Sequence, residues 1–412
     1  MKHLSFLIAA FCLVVASTSC EKIGTDSEKN NPYKPLDLTT KSAEFVKIGN
    51  DFSIEFIDRI NASASKDYIV SPLSMQFLLG MVLDGANGET SDEICRVLGY
   101  GQGEKEAVDQ YCLSMLEQLP KMDKKTTLRI ANAMFVDKSI SILDAYKLNV
   151  KKYYWADVCN LDFSDAANTL KTINDWCSKS TNGMIPRVLD NVSTDIPLYL
   201  FDAMYFKGQW KEKFKKGDTQ EENFTNESGS VSKVPMMKQT KSHEYMENDV
   251  FQAVSLAYGN GAFSMVALLP KSGYKVADVI DALKDSGWEE ICNSIYRTHE
   301  VNLWLPKFET TFGTKLNDIL SAMGMPLAFD RQKADFSALS SSPLYLDYVR
   351  QDAIIKVDEE GTEAAVVSHA AFGKMDAAPA PAAVFHADHP FLYLISEKST
   401  GAILFAGRYS GK

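Results

Sequence analysis

The chain has 412 residues, of which 43 are basic and 54 acidic, giving a formal charge of −11 at neutral pH. That balance disfavours nucleic acid and anionic membrane surfaces as partners, because both are reached through clustered Lys and Arg. Hydrophobic residues make up 45% of the chain, an ordinary share for a globular protein, and the length suits one large domain or two smaller ones.

The N-terminus comes first. Met1-Lys2-His3 and the apolar run Leu4 to Ala16 form a basic start with a hydrophobic stretch too short to span a bilayer. Residues 1–19 are therefore expected to be an export signal. Ser17-Thr18-Ser19-Cys20 resembles a bacterial lipoprotein cleavage box with Cys20 as the lipidated residue, although Ser17 stands where that box usually has Leu. The resemblance implies an outer-membrane or cell-surface lipoprotein whose only membrane attachment is its N-terminal lipid. Plain secretion is the other reading. Residues 20–41 are polar, carry Pro32 and Pro35, and read as a flexible tether.

Phe45, Val46, Ile48, Phe52, Phe56, Ile57 and Ile60 fall mostly at helical spacing and predict a first amphipathic helix. Ser71-Pro72-Leu73-Ser74 opens a second, since proline is tolerated in a first turn. Thr90 and Glu93 have capping-box spacing and predict a third. Thr127 to Val136 alternates as a strand does, and Leu170 to Ser180 reads as a helix closed by Asn182-Gly183. Pro197 to Phe206 is almost continuously apolar, as in a central strand covered on both faces. Asp202 interrupts it, and a charge there needs partners or a raised pKa. Ala262–Leu269, Val301–Leu305 and Ala353–Val357 are further strand candidates. Phe391–Ile395 and Ala402–Gly407 could close a hairpin across Glu397–Gly401. Cys95, Cys112, Cys159, Cys177 and Cys292 are odd in number and lack a Cys-x-x-Cys pair, so buried free thiols are expected and the fold must rest on its core.

Between the strand ending at Val357 and the one starting at Phe391 lies a long connection poor in large apolar residues. Compact domains keep such a loop when it is functional or disordered. An Ala/Pro linker tip is the plain reading. Parity offers another: in an extended chain Thr362, Ala364, Val366, Ser368, Ala370 and Phe372 share one uncharged face. The first proline after Gly361 is Pro379, so the segment could join a strand ladder.

Glu359-Glu360-Gly361-Thr362-Glu363-Ala364-Ala365, followed by Val366 and Val367, resembles the reactive-loop hinge of the serpins, and Phe385-x-Ala387-Asp388-His389-Pro390-Phe391 their signature after the loop. Ser71-Pro72-Leu73-Ser74, Asn132-Ala133-Met134-Phe135, Tyr205-Phe206-Lys207-Gly208-x-Trp210, Val234-Pro235-Met236-Met237, Leu305-Pro306-Lys307-Phe308 and Ala334-Asp335-Phe336-Ser337 continue the match in family order over residues 42–412. The resemblance implies an α+β fold: a large, mostly antiparallel central sheet, further sheets, eight or nine helices and an exposed loop over about 359–384. It places Trp210, Lys307 and Glu359 where the loop first joins the sheet, with a Lys307–Glu359 ion pair anchoring it. A solvated surface pair of about 1 kcal/mol or less is the plainer reading of that pair.

The resemblance also sets Asp202, Gln351, Ser71 and Ser74 at the point where the sheet opens. Most serpins carry Asn and His where this chain has Asp202 and Gln351, and the Gln351 amide can donate to Asp202.

The implied activity is suicide inhibition of a serine or cysteine protease by a monomeric protein that needs no cofactor or metal. A non-inhibitory serpin that binds a ligand or acts like a chaperone, and a surface ligand-binding lipoprotein, are the alternatives. Counting from the hinge puts the scissile bond between Met375 and Asp376, with Lys374 as the alternative. Met375 would suit an elastase- or chymotrypsin-like target and Lys374 a trypsin-like one. The sequence contains no Gly-x-Ser-x-Gly, His-Glu-x-x-His or phosphate-loop motif, so nothing in it asks for catalysis.

Overall fold

A computed structural model describes residues 31–295, 298–362 and 382–411. These form nine α-helices: α1 (Thr40–Ser63), α2 (Pro72–Gly85), α3 (Gly88–Leu98), α4 (Lys105–Gln118), α5 (Asp144–Tyr154), α6 (Ala166–Ser180), α7 (Val276–Ser286), α8 (Trp288–Ser294) and α9 (Asn317–Met323). The strands are β1 (Tyr68–Val70), β2 (Thr126–Asp137), β3 (Asp157–Leu161), β4 (Leu198–Gln209), β5 (Gln220–Thr225), β6 (Val231–Glu247), β7 (Phe251–Ala257), β8 (Phe263–Pro270), β9 (Thr298–Pro306), β10 (Phe308–Lys315), β11 (Val349–Val357), β12 (Gly361–Thr362), β13 (Ala383–His386), β14 (Phe391–Glu397) and β15 (Ile403–Tyr409).

Two sheets organise the molecule. One runs β1-β15-β14-β8-β7-β6-β9-β13, with β5 paired to β6. The other runs β10-β11-β4-β2-β3, with the short β12 beside β4. In this second sheet β10/β11, β4/β2 and β12/β4 are antiparallel, while β11/β4 and β2/β3 are parallel. Antiparallel joins outnumber parallel ones, and the sheet as a whole is mixed. One apolar cluster extends from Leu36 and Phe45 through α2 and both sheets to Tyr409.

The predicted helices begin and end for local reasons. Thr39 caps α1 by accepting from Ser42 N, and Phe45, Val46, Phe52, Phe56, Ile57 and Ile60 bury its inner stripe. Ser71 caps α2, with Pro72 in the first turn. The capping box at Thr90 does not form. Helix α3 starts earlier, at Gly88, and Thr90 and Glu93 instead accept backbone N–H bonds from Asp335 and Leu327. Asn182 and Gly183, both at positive φ, end the turn after α6.

Residues 31–39 are not a free tether. Asn31 donates to Asp123 at 2.6 Å, Leu36 N to Ser399 at 3.0 Å and Asp37 N to Gln118 at 2.8 Å, so polar composition here serves docking. Cys95, Cys112 and Cys177 are buried free thiols, whereas Cys159 and Cys292 are only half-buried. Cys20 and the signal segment lie outside the described residues. Among the described helices none is long and apolar enough to cross a membrane.

Candidate functional site

Strand β4 has nearly every side chain buried, as its apolar run demands. Along one edge it pairs with β2 from Val136–Leu198 to Thr126–Gly208. Along the other it pairs with β11 through only four positions, Val349–Leu200 to Asp352–Ala203. Beyond them β11 continues on β10 alone, from Ala353–Phe312 to Val357–Phe308. The two central strands therefore part above Ala203.

At the end of β11 the chain reverses. Asp358 N donates to Gly361 O at 2.9 Å, and Glu360 N to Asp358 Oδ1 at 2.9 Å. Gly361 and Thr362 then pair antiparallel with Gln209 and Gly208. Gly208 already holds Thr126 on one side, so Thr362 occupies the side that β11 has left. Gly361 sits at φ 143°, and a Cβ there would come within 2.1 Å of Gly208 O. Only glycine fits this close approach.

The surrounding side chains hold the turn tightly. Trp210 Nε1 donates to Asp358 O at 2.9 Å, Trp210 N to Glu360 O at 2.9 Å, and Phe214 N to Glu359 O at 3.0 Å. The Trp210 ring stacks on Tyr258 with centroids 4.4 Å apart. The Tyr258 hydroxyl lies 3.0 Å from Thr362 Oγ1. Lys307 Nζ reaches Glu359 Oε2 at 2.9 Å, and Thr219 donates to Oε1 at 2.8 Å. Glu359 is buried while Lys307 is 40% exposed, so the expected pair forms and is more enclosed than a surface bridge. Burial raises the proton affinity of Glu359, but Lys307 and Thr219 outweigh it and hold the carboxyl below its ordinary value. Lys213 at 2.7 Å, with Lys216 at 3.4 Å, does the same for Glu360 against a smaller burial cost.

About 20 Å further down β4 from Gly208, by strand rise, Asp202 is buried with Ser74 Oγ donating to its Oδ2. Gln351 is its register partner on β11, as expected. The Gln351 amide, however, is engaged with Ser71: Nε2 donates to Ser71 O and Oε1 accepts from Ser71 N, both at 2.9 Å. Asp202 Oδ1 is left without a hydrogen-bond donor.

Residues Glu363, Ala364, Ala365, Val366, Val367, Lys374, Met375 and Asp376 lie outside the described residues. Past them, His389 is held by Asp388 at 2.7 Å and Pro270 O at 2.8 Å. Among the described residues no group of three or more His, Cys, Asp or Glu is arranged to hold a metal.

Sequence reasoning missed Tyr258, Thr219, Lys213 and Lys216. The two lysines had a signal, the basic run after Trp210 set against Glu359-Glu360. Tyr258 and Thr219 had none, because each is brought in by a distant strand or turn.

Comparison with known proteins agrees with this geometry. A family model described as serpin (serine protease inhibitor) matches residues 47–411. The leukocyte elastase inhibitor of Xenopus tropicalis is 34% identical over 373 residues, covering 87% of this chain and 97% of that protein. The native-state structure of a thermophilic serpin, tengpin, superposes with TM-score 0.82 at 28% identity, covering 93% of this chain and 97% of that one. Human thyroxine-binding globulin in complex with its ligand superposes with TM-score 0.81 at 25% identity, covering 90% and 98%. The fold thus accompanies an elastase inhibitor in one relative and a thyroxine-binding globulin in another. With nearly the whole chain matched from helix α1 to strand β15, this protein belongs to the serpin family.

Proposed function

We propose that this protein inhibits serine or cysteine proteases by offering the segment after Gly361 as a substrate. The protease cuts the loop and becomes acylated by it. The freed segment then inserts between β4 and β11 and carries the protease away before water releases it; serpin loop insertion is itself one of the standard examples of strand addition. The observation that carries this reading is the pairing of Gly361 and Thr362 with β4, on the edge that β11 has vacated. Continuing that register would bring Ala364 beside Phe206, Val366 beside Met204 and Ser368 beside Asp202. All are small enough to enter a packed sheet.

A dozen new strand residues at about 1 kcal/mol net per hydrogen bond would release roughly 10–20 kcal/mol. That matches the stability of an ordinary domain, which is what deforming a protease requires. Met375–Asp376 is the proposed scissile bond, with Lys374 as the alternative, and an elastase- or chymotrypsin-like enzyme the proposed target. The similarity to a leukocyte elastase inhibitor supports that choice. We further propose that Cys20 carries a lipid and that the protein acts at the cell surface.

The test is incubation with pancreatic elastase, chymotrypsin and trypsin. A detergent-stable covalent band, and a nicked form that melts higher than the intact one, are the expected results. A nicked form with unchanged melting temperature and a fully active protease would overturn the proposal.

A further inference from the structure

Asp202 is a departure that the inhibitory reading does not absorb. It sits in one of the four residue pairs that join β4 to β11, the pairs that must separate for a strand to enter. Its cross-strand neighbour on β2 is Asn132. Both side chains are buried, and each leaves one Oδ1 atom without a donor. Two such acceptors on directly paired residues are each costly, and a proton on the Asp202 carboxyl would remove its charge and supply a donor between these strands.

The groups around Asp202 supply no positive charge. From α2 come the Ser74 hydroxyl, which donates to Oδ2, and Ser71, whose hydroxyl is spent on Leu404 O at 2.8 Å. The α2 N-terminus also points a favourable dipole here, which acts against protonation. From β11 comes Gln351, bound to the Ser71 backbone. From β2 comes Asn132, whose Nδ2 donates to Tyr154 O at 3.2 Å. Helix α6 presents the Cys177 thiol, pushed up to about 12 by burial, with Asp352 and Asp202 adding to the rise. Asp352 itself is neutralised by Arg350 at 2.7 Å.

We propose that a single proton on the Asp202 carboxyl locks β4 to β11, and that its loss eases their parting, so that strand insertion in this protein is gated by pH. Asp202 is a positioning residue in this scheme, and the inference rests on the insertion reading given above. Burial pushes the Asp202 carboxyl up to about 7, opposed by the Ser74 hydroxyl and then by the adjacent Gln351 amide, one of whose two N–H groups is taken by Ser71 O. In the parted state water reaches the carboxyl, which returns toward its ordinary value of 3.8. The closed sheet therefore binds a proton that the parted sheet does not between about pH 4 and 7. Opening becomes easier as pH rises through that window and levels off above it.

The experiment uses the intact protein and a synthetic peptide spanning Thr362 to Lys374, which adds a strand to any sheet that parts. Incorporation is followed by native gel from pH 5 to 8.5 for the wild type and Asp202→Asn. His369 of the peptide titrates identically against both proteins, so the difference between them belongs to Asp202. Wild-type incorporation should accelerate about tenfold or more across the range, and Asp202→Asn should lose that slope. Ser74→Ala removes the donor to Oδ2 and should move the midpoint to higher pH, a readout that holds if Asp202→Asn folds poorly. Incorporation with the same pH slope in wild type and Asp202→Asn, or an unmoved midpoint in Ser74→Ala, would overturn the proton lock and leave the insertion reading standing. No incorporation by any variant at any pH, together with a nicked form of unchanged stability, would overturn both.

Discussion

Two carboxylate sites touch the same strand, and they are built in opposite ways. At the C-terminal end of β4, Glu359 and Glu360 are enclosed but compensated, by Lys307 and Thr219 for one and by Lys213 and Lys216 for the other. In the middle of the strand, Asp202 is buried to the same degree but has neutral neighbours, with the Ser74 hydroxyl donating to one of its oxygens. Opposite charge holds the first pair below the ordinary carboxylate range, and burial lifts the second above it. The end of the strand is a fastened anchor from which a loop can start inward. Its centre instead encloses a carboxyl with no opposite charge beside it.

The sharpest way to break the comparison is at Thr362, which is buried against Tyr258. Thr362→Arg puts a charge on the first inward position of the proposed inserting strand. It should abolish the covalent protease band and leave a protein that is simply cleaved, a change read directly on denaturing gels with elastase. Gly361→Ala comes next. Its Cβ would collide with Gly208 O, so β12 should detach from β4. Loss of the Trp210 contacts would then appear as a red shift in tryptophan emission, with a loss of about 2 kcal/mol or more in unfolding free energy.

Asp202→Asn separates the two sites by sign. Its wild-type carboxyl binds a proton more tightly folded than unfolded, so wild-type stability falls as pH rises from about 4 to about 7. The variant should therefore match the wild type near pH 4 and exceed it by about 2 kcal/mol at pH 8, measured by denaturant midpoint. Glu359→Gln should have the smallest effect, about 1 kcal/mol, because the Lys307 side chain is partly solvated. The sign is reversed here. The depressed Glu359 carboxyl contributes stability that is present above its unfolded pKa and lost as pH falls through its lower folded value, so variant and wild type should converge only in acid.

Much of the anchor was legible in the chain itself. Gly361 between two acids and a threonine, and the Lys307 and Trp210 motifs, pointed to a place where a loop begins, and the structure brings these residues together around Asp358 to Thr362. The long strand Leu198–Gln209 followed from an apolar run that only a doubly covered strand can use. The capping box at Thr90 misled because Thr and Glu at that spacing can equally cap a neighbouring loop, which is what they do for Leu327 and Asp335. The polar stretch 31–39 misled because composition cannot tell a solvated tether from one whose polar groups have partners.

Periodicity, glycine placement and turn chemistry are local properties, and from them the sequence determined the elements, their order and the segment that breaks the pattern near its end. Which partners each buried charge would find is not local. That Gln351 would bond Ser71, leaving Asp202 an oxygen without a donor, depended on how the start of α2 docks on a strand residue 280 positions later. Only the tertiary structure could decide that β4 and β11 share four residue pairs and then part, because the length of a strand pair is set by the twist and packing of the whole sheet.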